Sequence, residues 1–316
     1  MASSRTAVLL IAMGGPDSLE AIPRYLYNIF SDRTLIQLPG GAILQKPFAR
    51  LISRLRSKKV AEHYKLIGGS SPLLKWTAAQ AGLLESTLVD RGQRVKSYVG
   101  MRYYEPTIAE AVRQIHADGC DHIIVLPMYP QYTIATTGSS VMELGRVLKG
   151  YSSLSWDLVK DFHDYPPFVD LVRDYIDRHT DVDDILLFTA HSLPRKFVDE
   201  GDPYVDQVKC TAELAAGGRE YHVSFQSRTG PVEWVGPDTI DETKRLVAET
   251  NKQICLVPVA FVCDHIETLY ELDIELPQLV GERERLYRLP MFNDDPRFAE
   301  VLADLVSDRI PSHAGS

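Results

Sequence analysis

The feature that most constrains the fold is an order of elements that occurs twice. Six short apolar runs read as strands: "AVLLIAM" (7–13), "VKSYVGMRY" (95–103), "HIIVLPMYP" (122–130), "DILLFTAH" (184–191), "YHVSFQSR" (221–228) and "QICLVPVAF" (253–261). Several are apolar on both faces, as strands covered by helices must be. Helical patterns lie between them, such as "TIAEAVRQIHADG" after Pro106 and "TIDETKRLVAET" after Pro237. Strand–helix alternation implies parallel α/β sheets with right-handed crossovers. In each half a strand runs into a proline-bearing turn ("AMGGP", "AHSLP"). A strand ending in Arg, a proline-started helix and a strand with an internal proline follow. Pro106 to Pro127 and Pro237 to Pro258 both span 21 residues. The expectation is two related α/β lobes, 1–165 and 166–316, with the last helix (about 295–310) the candidate to pack back on the first lobe.

Bulk properties exclude several classes. A net charge of −9 argues against nucleic acid. Within it, residues 46–65 carry seven Lys/Arg and one Glu, a local +6 that suits a specific anionic partner or surface. "AVLLIAM" follows a single Arg5 and runs into "GGPD", so it reads as a buried strand and not a signal peptide. No stretch approaches the ~20 apolar residues of a membrane span. The four cysteines, Cys120, Cys210, Cys255 and Cys263, form no C-x-x-C pair and suggest reduced thiols, hence a cytoplasmic enzyme.

In open α/β sheets ligands bind beyond the carboxyl ends of strands. Met13, Arg102, Tyr103, Tyr129, His191 and Arg228 all fall there, as does the Asp264–His265–Glu267 group. A lone strand-end histidine is more often a core residue. His191 gains weight from the second strand end carrying His265 and Glu267, because histidine with carboxylates makes a general base, a metal ligand, or each in turn. In "CDHIETLYELDIE" Glu267, Glu271 and Glu275 recur every four residues, a solvated α-helical face or a functional file of carboxylates. Phe48, Leu51, Ile52 and Leu55 recur at helical spacing in the basic 27–59 segment. They fit a helix packed on the core, or a lip meeting membrane or apolar substrate. Trp234 reads on its own as packing. "IGGSSPLLKWT" and "YTIATTGSS" open helices and match no P-loop.

Seven stretches together resemble the ferrochelatase family: "LLIAMGGPDSLEAIPRYLYNIFSDRTLIQLP", "YKLIGGSSPL", "VGMRYYEPTIAEAV", "VLPMYPQYTIATTGSS", "LFTAHSLPRKFVDEGDPY", "FQSRTGPVEWVGP" and "VPVAFVCDHIETLYELDIE". They occur in the family's order from about Leu9 to Ile310. The resemblance implies a chelatase-like fold of two Rossmann-like lobes, each a parallel sheet flanked by helices. It implies a lyase that inserts ferrous iron into protoporphyrin IX, the last step of haem biosynthesis. Alternatives are a coproporphyrin ferrochelatase, a cobalt or nickel chelatase, or a non-catalytic tetrapyrrole carrier. By the same resemblance His191 and Glu267 are catalytic and hold metal, with Glu267 the acidic counterpart across the macrocycle. Phe261, Asp264 and His265 share that wall. Met13, Arg102, Tyr103, Tyr129 and Trp234 line the pocket. Arg56 in the 27–59 lip is a candidate for the propionates. Asp264, Glu271 and Glu275 form a proton or metal path. No cysteine follows Cys263, and Ile134 stands where animal enzymes have a cluster cysteine, so no iron–sulfur cluster and no permanent cofactor are expected. Met13 resembles the protoporphyrin-using branch, and the lip implies peripheral membrane contact by a cytoplasmic protein.

Overall fold

The structure, a computed structural model, describes residues 5–310. The chain divides into two compact units. One holds the residues up to Met128, Ile134–Lys160 and the segment from Asn293; the other holds Tyr129–Thr133 and Asp161–Phe292.

In the first unit the elements are β1 (Thr6–Ala12), α1 (Ile22–Ser31), α2 (Gly41–Leu66), α3 (Leu73–Asp90), β2 (Val95–Met101), α4 (Ile108–Ala117), β3 (His122–Pro127), a π-helix (Ile134–Gly138), α5 (Ser139–Leu148) and β4 (Ser155–Leu158). The second unit has α6 (Pro166–His179), β5 (Ile185–His191), α7 (Arg195–Asp199), α8 (Tyr204–Ala216), β6 (Tyr221–Gln226), α9 (Thr239–Glu249) and β7 (Ile254–Pro258). It ends with a π-helix (Glu267–Glu275), α10 (Leu276–Val280), a 3₁₀ turn (Arg283–Arg285) and β8 (Leu286–Arg288). α11 (Pro296–Ser307) belongs to the first unit, where Arg91 at the end of α3 pairs with Asp304 at 2.7 Å and with Glu300.

Each unit contains a four-stranded parallel sheet, ordered β2-β1-β3-β4 and β6-β5-β7-β8. The repeat read from sequence is therefore a repeat of topology. Both helices of the echo start two residues after a proline that follows a cis peptide bond. Thr107 and Glu110 form a reciprocal capping box on α4, and Asp238 caps α9. β1, β5 and β7 are central and buried along almost their whole length. The six sequence-read strands are all present. Two edge strands, β4 and β8, lay outside that reading: β4 is "SWDL", four residues with an exposed pattern, and β8 is three residues. An edge strand needs neither an apolar run nor two covered faces, so hydrophobicity does not mark it.

Two further expectations change. The glutamate ladder does not sit on an α-helix. Glu267–Glu275 winds as a π-helix, hydrogen-bonded to the fifth residue instead of the fourth. The core-packing reading of α2 is inverted as well. Its buried residues are Gln45, Ala49, Ser53 and Tyr64, while Leu51 and Leu55 are 52% and 72% exposed and Ile43 is 88% exposed. Gln45 explains the orientation. Its amide donates to the carbonyls of Phe30 and Ile36 at 2.7 and 2.9 Å and accepts from Leu38 N–H at 3.1 Å. A buried amide so fully used stitches the 30–38 turn to the helix and leaves the leucines outside.

Candidate active site

β5 ends in His191, whose side chain stays 41% exposed, the pairing with β7 having stopped at Thr189. By register, His191 lies beside Gln226, the last residue of β6. The chain after Gln226 turns through Ser227, whose φ of 67° is unusual for a residue with a side chain and costs conformational energy. That turn places the Ser227 hydroxyl between two carboxylates of the π-helix: 3.2 Å from Glu267 Oε2 and 2.5 Å from Glu271 Oε2. The Gln226 amide donates to the Glu267 carbonyl at 3.1 Å and to Glu271 Oε2 at 3.0 Å.

His191 Nδ1 and Glu267 Oε2 are 2.8 Å apart. A macrocycle cannot lie between them, since stacking on both faces alone would need about 7 Å, two carbon contact distances. The expectation of Glu267 across the ring is thus corrected: histidine and glutamate form one hydrogen-bonded pair on one wall. His265 completes it. Its Nδ1–H donates to the Cys263 carbonyl at 3.0 Å, and its Nε2 lies 3.8 Å from Glu267 Oε1. Phe261 packs edge-to-face on His265, ring centroids 4.5 Å apart.

The electrostatics follow. Burial opposes the Glu267 carboxylate, but the His191 charge and hydrogen bond, with His265 close by, overcome it and hold Glu267 far below the usual carboxylate range. Burial likewise opposes the His191 imidazolium. Glu267, with Glu271 behind it, outweighs burial and raises His191 above its ordinary value. Glu271 goes the other way: burial, then the neighbouring Glu267 charge, push it up to about 7. Two adjacent carboxyls with opposite shifts are a group that can hold or release one proton near neutrality.

The structure brings His191, Glu267, His265, Phe261 and Glu271 together. Glu275 stands apart, accepting the Tyr270 hydroxyl at 3.2 Å. Asp264 accepts Thr268 Oγ1 and pairs with Arg288, both at 3.0 Å. Trp234 bridges to Pro194, and its indole N–H is buried with no hydrogen-bond partner among the described residues. Arg228 folds back on its own loop, bonding the Val235 carbonyl at 3.0 Å and lying 3.4 Å from Asp238. Tyr129 is half-buried in the same unit. Gln226, Ser227 and Arg288 were missed by sequence reasoning; the strand neighbour of His191 is the signal that would have found the first two. Among the described residues, the one trio of metal-type ligands within 4.8 Å of one another is Asp161, His163 and Asp164, where His163 Nδ1 already bonds Asp161 at 2.8 Å.

In the first unit the turn after β1 is zipped to the end of β2: Arg102 N–H bonds the Ala12 carbonyl at 2.8 Å and Tyr103 N–H the Met13 carbonyl at 2.9 Å. Gly14 permits this approach, with φ of 83° and Met101 Cβ only 3.0 Å from where its own Cβ would lie. Asp32, half-buried with its side chain 8% exposed and also missed from sequence, fixes both side chains. Its Oδ2 accepts from Arg102 at 2.7 Å, the Tyr103 hydroxyl at 2.8 Å and Ser139 at 2.7 Å. Burial would raise this carboxyl, but bonds from Ser139 and Tyr103 and the Arg102 charge lower it. Arg56 lies on α2 with its guanidinium 5.6 Å from the Phe30 ring.

Residues 5–310 match the family model described as ferrochelatase. The ferrochelatase of Geotalea daltonii is 42% identical, covering 96% of this chain and 98% of its own; that of Geobacter metallireducens is 44% identical with the same coverage. Among solved structures, the sirohydrochlorin chelatase SirB from Bacillus subtilis subspecies spizizenii, in complex with cobalt, shares the fold. Its TM-score is 0.57 at 13% identity, over 97% of this chain and 95% of that one. With the family match spanning all described residues and relatives above 40% identity end to end, the chain belongs to the ferrochelatase family.

Proposed function

We propose that the protein inserts ferrous iron into protoporphyrin IX, releasing two protons and forming haem. The observation that carries the mechanism is the His191–Glu267 pair, 2.8 Å apart at a strand end. Glu267 fixes a proton of His191 on Nδ1, so that whenever the ring is neutral the Nε2 lone pair is the free one. One imidazole with one carboxylate is a weak site for ferrous iron, suited to handing the ion on. Nε2 cannot hold iron and a proton together. Iron leaves the pair for the ring, and the freed lone pair takes one pyrrole proton in exchange and, once that proton has passed on to Glu271, the second. Glu267 stabilises the resulting imidazolium. Glu271, poised near neutrality, accepts the proton onward by way of the Ser227 hydroxyl, while Asp264, held by Thr268 and Arg288, and Glu275, held by Tyr270, stand off this path.

Tyr129, Trp234 and Phe261 of the second unit are proposed to contact the macrocycle; for the first unit, Met13, Arg102 and Tyr103 are proposed as porphyrin contacts, and Arg56 as a cation for the propionates, from the family resemblance alone. Iron is substrate here. No iron–sulfur cluster is proposed, on the ground that Ile134 stands where the family's animal members have a cluster cysteine. The exposed Ile43, Leu51 and Leu55, set among Arg50, Arg54 and Lys58 on α2, support peripheral contact with an anionic membrane surface by a cytoplasmic protein. No helix among the described residues is long and apolar enough to cross a membrane.

The test is an anaerobic assay with ferrous iron, offering protoporphyrin IX and coproporphyrin in parallel. Haem formation from protoporphyrin IX with turnover is expected. Faster use of coproporphyrin would reassign the substrate, and stoichiometric binding without turnover would make the protein a carrier.

A further inference from the structure

A nine-residue π-helix needs an external reason to exist. π-turns occur mostly as single insertions in α-helices, so Glu267–Glu275 must be held in its register by contacts from outside it. The strongest of these comes from Arg288, the last residue of β8. Its backbone is paired to Leu256 of β7, and its own guanidinium Nη1 bonds the Leu289 carbonyl at 3.1 Å, so the side chain starts from a fixed point on the sheet. From there it forks. Nε and Nη2 take both oxygens of Asp273 at 2.7 and 2.8 Å, and Nη2 also lies 3.0 Å from Asp264 Oδ1.

The positions of these two aspartates matter. Asp264 precedes the π-helix, and Asp273 lies seven residues into it. Between them, on the segment they bracket, stand His265, Glu267 and Glu271. The Asp264 end is tied in further: buried Thr268 donates to Asp264 Oδ1 at 3.0 Å and accepts His265 N–H at 3.0 Å. Arg288 is only 10% exposed, so these charge-assisted bonds are shielded from water. A lysine cannot reproduce the planar fork that reaches two carboxylates at once.

We propose that Arg288 is a positioning residue for the reaction: it clamps Asp264 and Asp273, holds the 267–275 segment in its π register, and so keeps Glu267 on His191 and Glu271 on Ser227. This rests on the function proposed above. Arg288 touches none of the groups that face the substrate. It acts through the winding of the segment, because a slip to α-helical spacing would rotate Glu271 and Asp273 away from Ser227 and from the clamp together.

The experiment compares the full-length parent with Arg288→Lys, Arg288→Met, Asp273→Asn and Asp264→Asn. Each is measured by amide hydrogen exchange, protoporphyrin binding from fluorescence, and steady-state kinetics well below its melting temperature. The clamp predicts faster exchange confined to peptides spanning 264–275. It predicts kcat lowered at least tenfold in Arg288→Met, a partial recovery in Arg288→Lys, and severalfold losses in the two Asn variants. Porphyrin Kd should stay within about threefold. A merely structural arginine would lower the melting temperature without separating kcat from Kd. Should Arg288→Met fail to fold, the Asn variants, which each loosen one arm, decide the matter. Unchanged kcat in both, or exchange that rises uniformly across the second unit, overturns the proposal. If the parent itself has no chelatase activity while exchange still localises to 264–275, the functional reading fails and the clamp stands.

Discussion

Replacing Glu271 by Gln tests the electrostatic picture most sharply. Burial and the adjacent Glu267 charge raise the Glu271 carboxyl from 4.5 to about 7. The sign is clear: between those values the folded protein keeps a proton that the unfolded chain has released, so stability falls as pH rises from 4.5 and levels off above 7. At about 1.4 kcal/mol per unit, the loss is on the order of 3 kcal/mol at pH 8 and below about 1 kcal/mol at pH 5. Gln mimics the neutral carboxyl and escapes it. Any fixed cost from altered bonds to Ser227 and Gln226 is the same at both pH values. Glu271→Gln should therefore gain on the parent by roughly 2 kcal/mol between pH 5 and pH 8, or roughly 4–8 °C in Tm at about 2–4 °C per kcal/mol. Calorimetry of both proteins at the two pH values measures this. In the same samples turnover should fall, though less than in Glu267→Gln. A Tm difference that is identical at pH 5 and pH 8 would refute the reasoning, because Glu271 would then titrate as an ordinary surface carboxylate.

His191→Ala should cut iron insertion by roughly 10²–10⁴-fold, the usual worth of a positioned general base, while porphyrin binding persists; near-parent turnover would remove His191 from the mechanism. Asp32→Asn should destabilise the first unit by about 3–5 kcal/mol, since it strands the Arg102 guanidinium, and should weaken porphyrin binding; melting and binding curves that match the parent would contradict this. Leu51→Ser with Leu55→Ser should leave Tm nearly unchanged, both side chains being largely exposed, yet reduce flotation with anionic vesicles and stimulation by lipid. Equal flotation would detach the lip from the membrane reading. Purified protein should contain no acid-labile sulfide; stoichiometric iron and sulfide would sink the cluster-free reading.

Much of the fold was legible because its signals are local. Buried central strands such as β1 and β7 must be apolar on both faces, and helices between them must carry caps, so periodicity and proline positions expose both halves of the repeat. β4 and β8 were not legible, since an edge strand is defined by a neighbour's hydrogen bonds and not by its own side chains. At the site, His191, His265 and Glu267 could be named from strand ends and resemblance. That histidine and glutamate share one hydrogen bond on one wall could not, because strand-end reasoning says where a residue emerges and not which way it turns.

Sequence alone determined the two-lobed parallel architecture, the family, and the residue types available for metal and proton chemistry, because each rests on patterns within a few turns of chain. Tertiary structure decided what those residues do to one another. α2 shows its leucines to solvent because a buried Gln45 holds its other face to the 30–38 turn. Asp32, from the end of α1, sets the Arg102 and Tyr103 side chains some 70 positions away. The segment 267–275 has no local reason to prefer a π over an α winding. That choice belongs to Ser227, Gln226 and Arg288, whose bonds to it cross the sheet and are invisible along the chain.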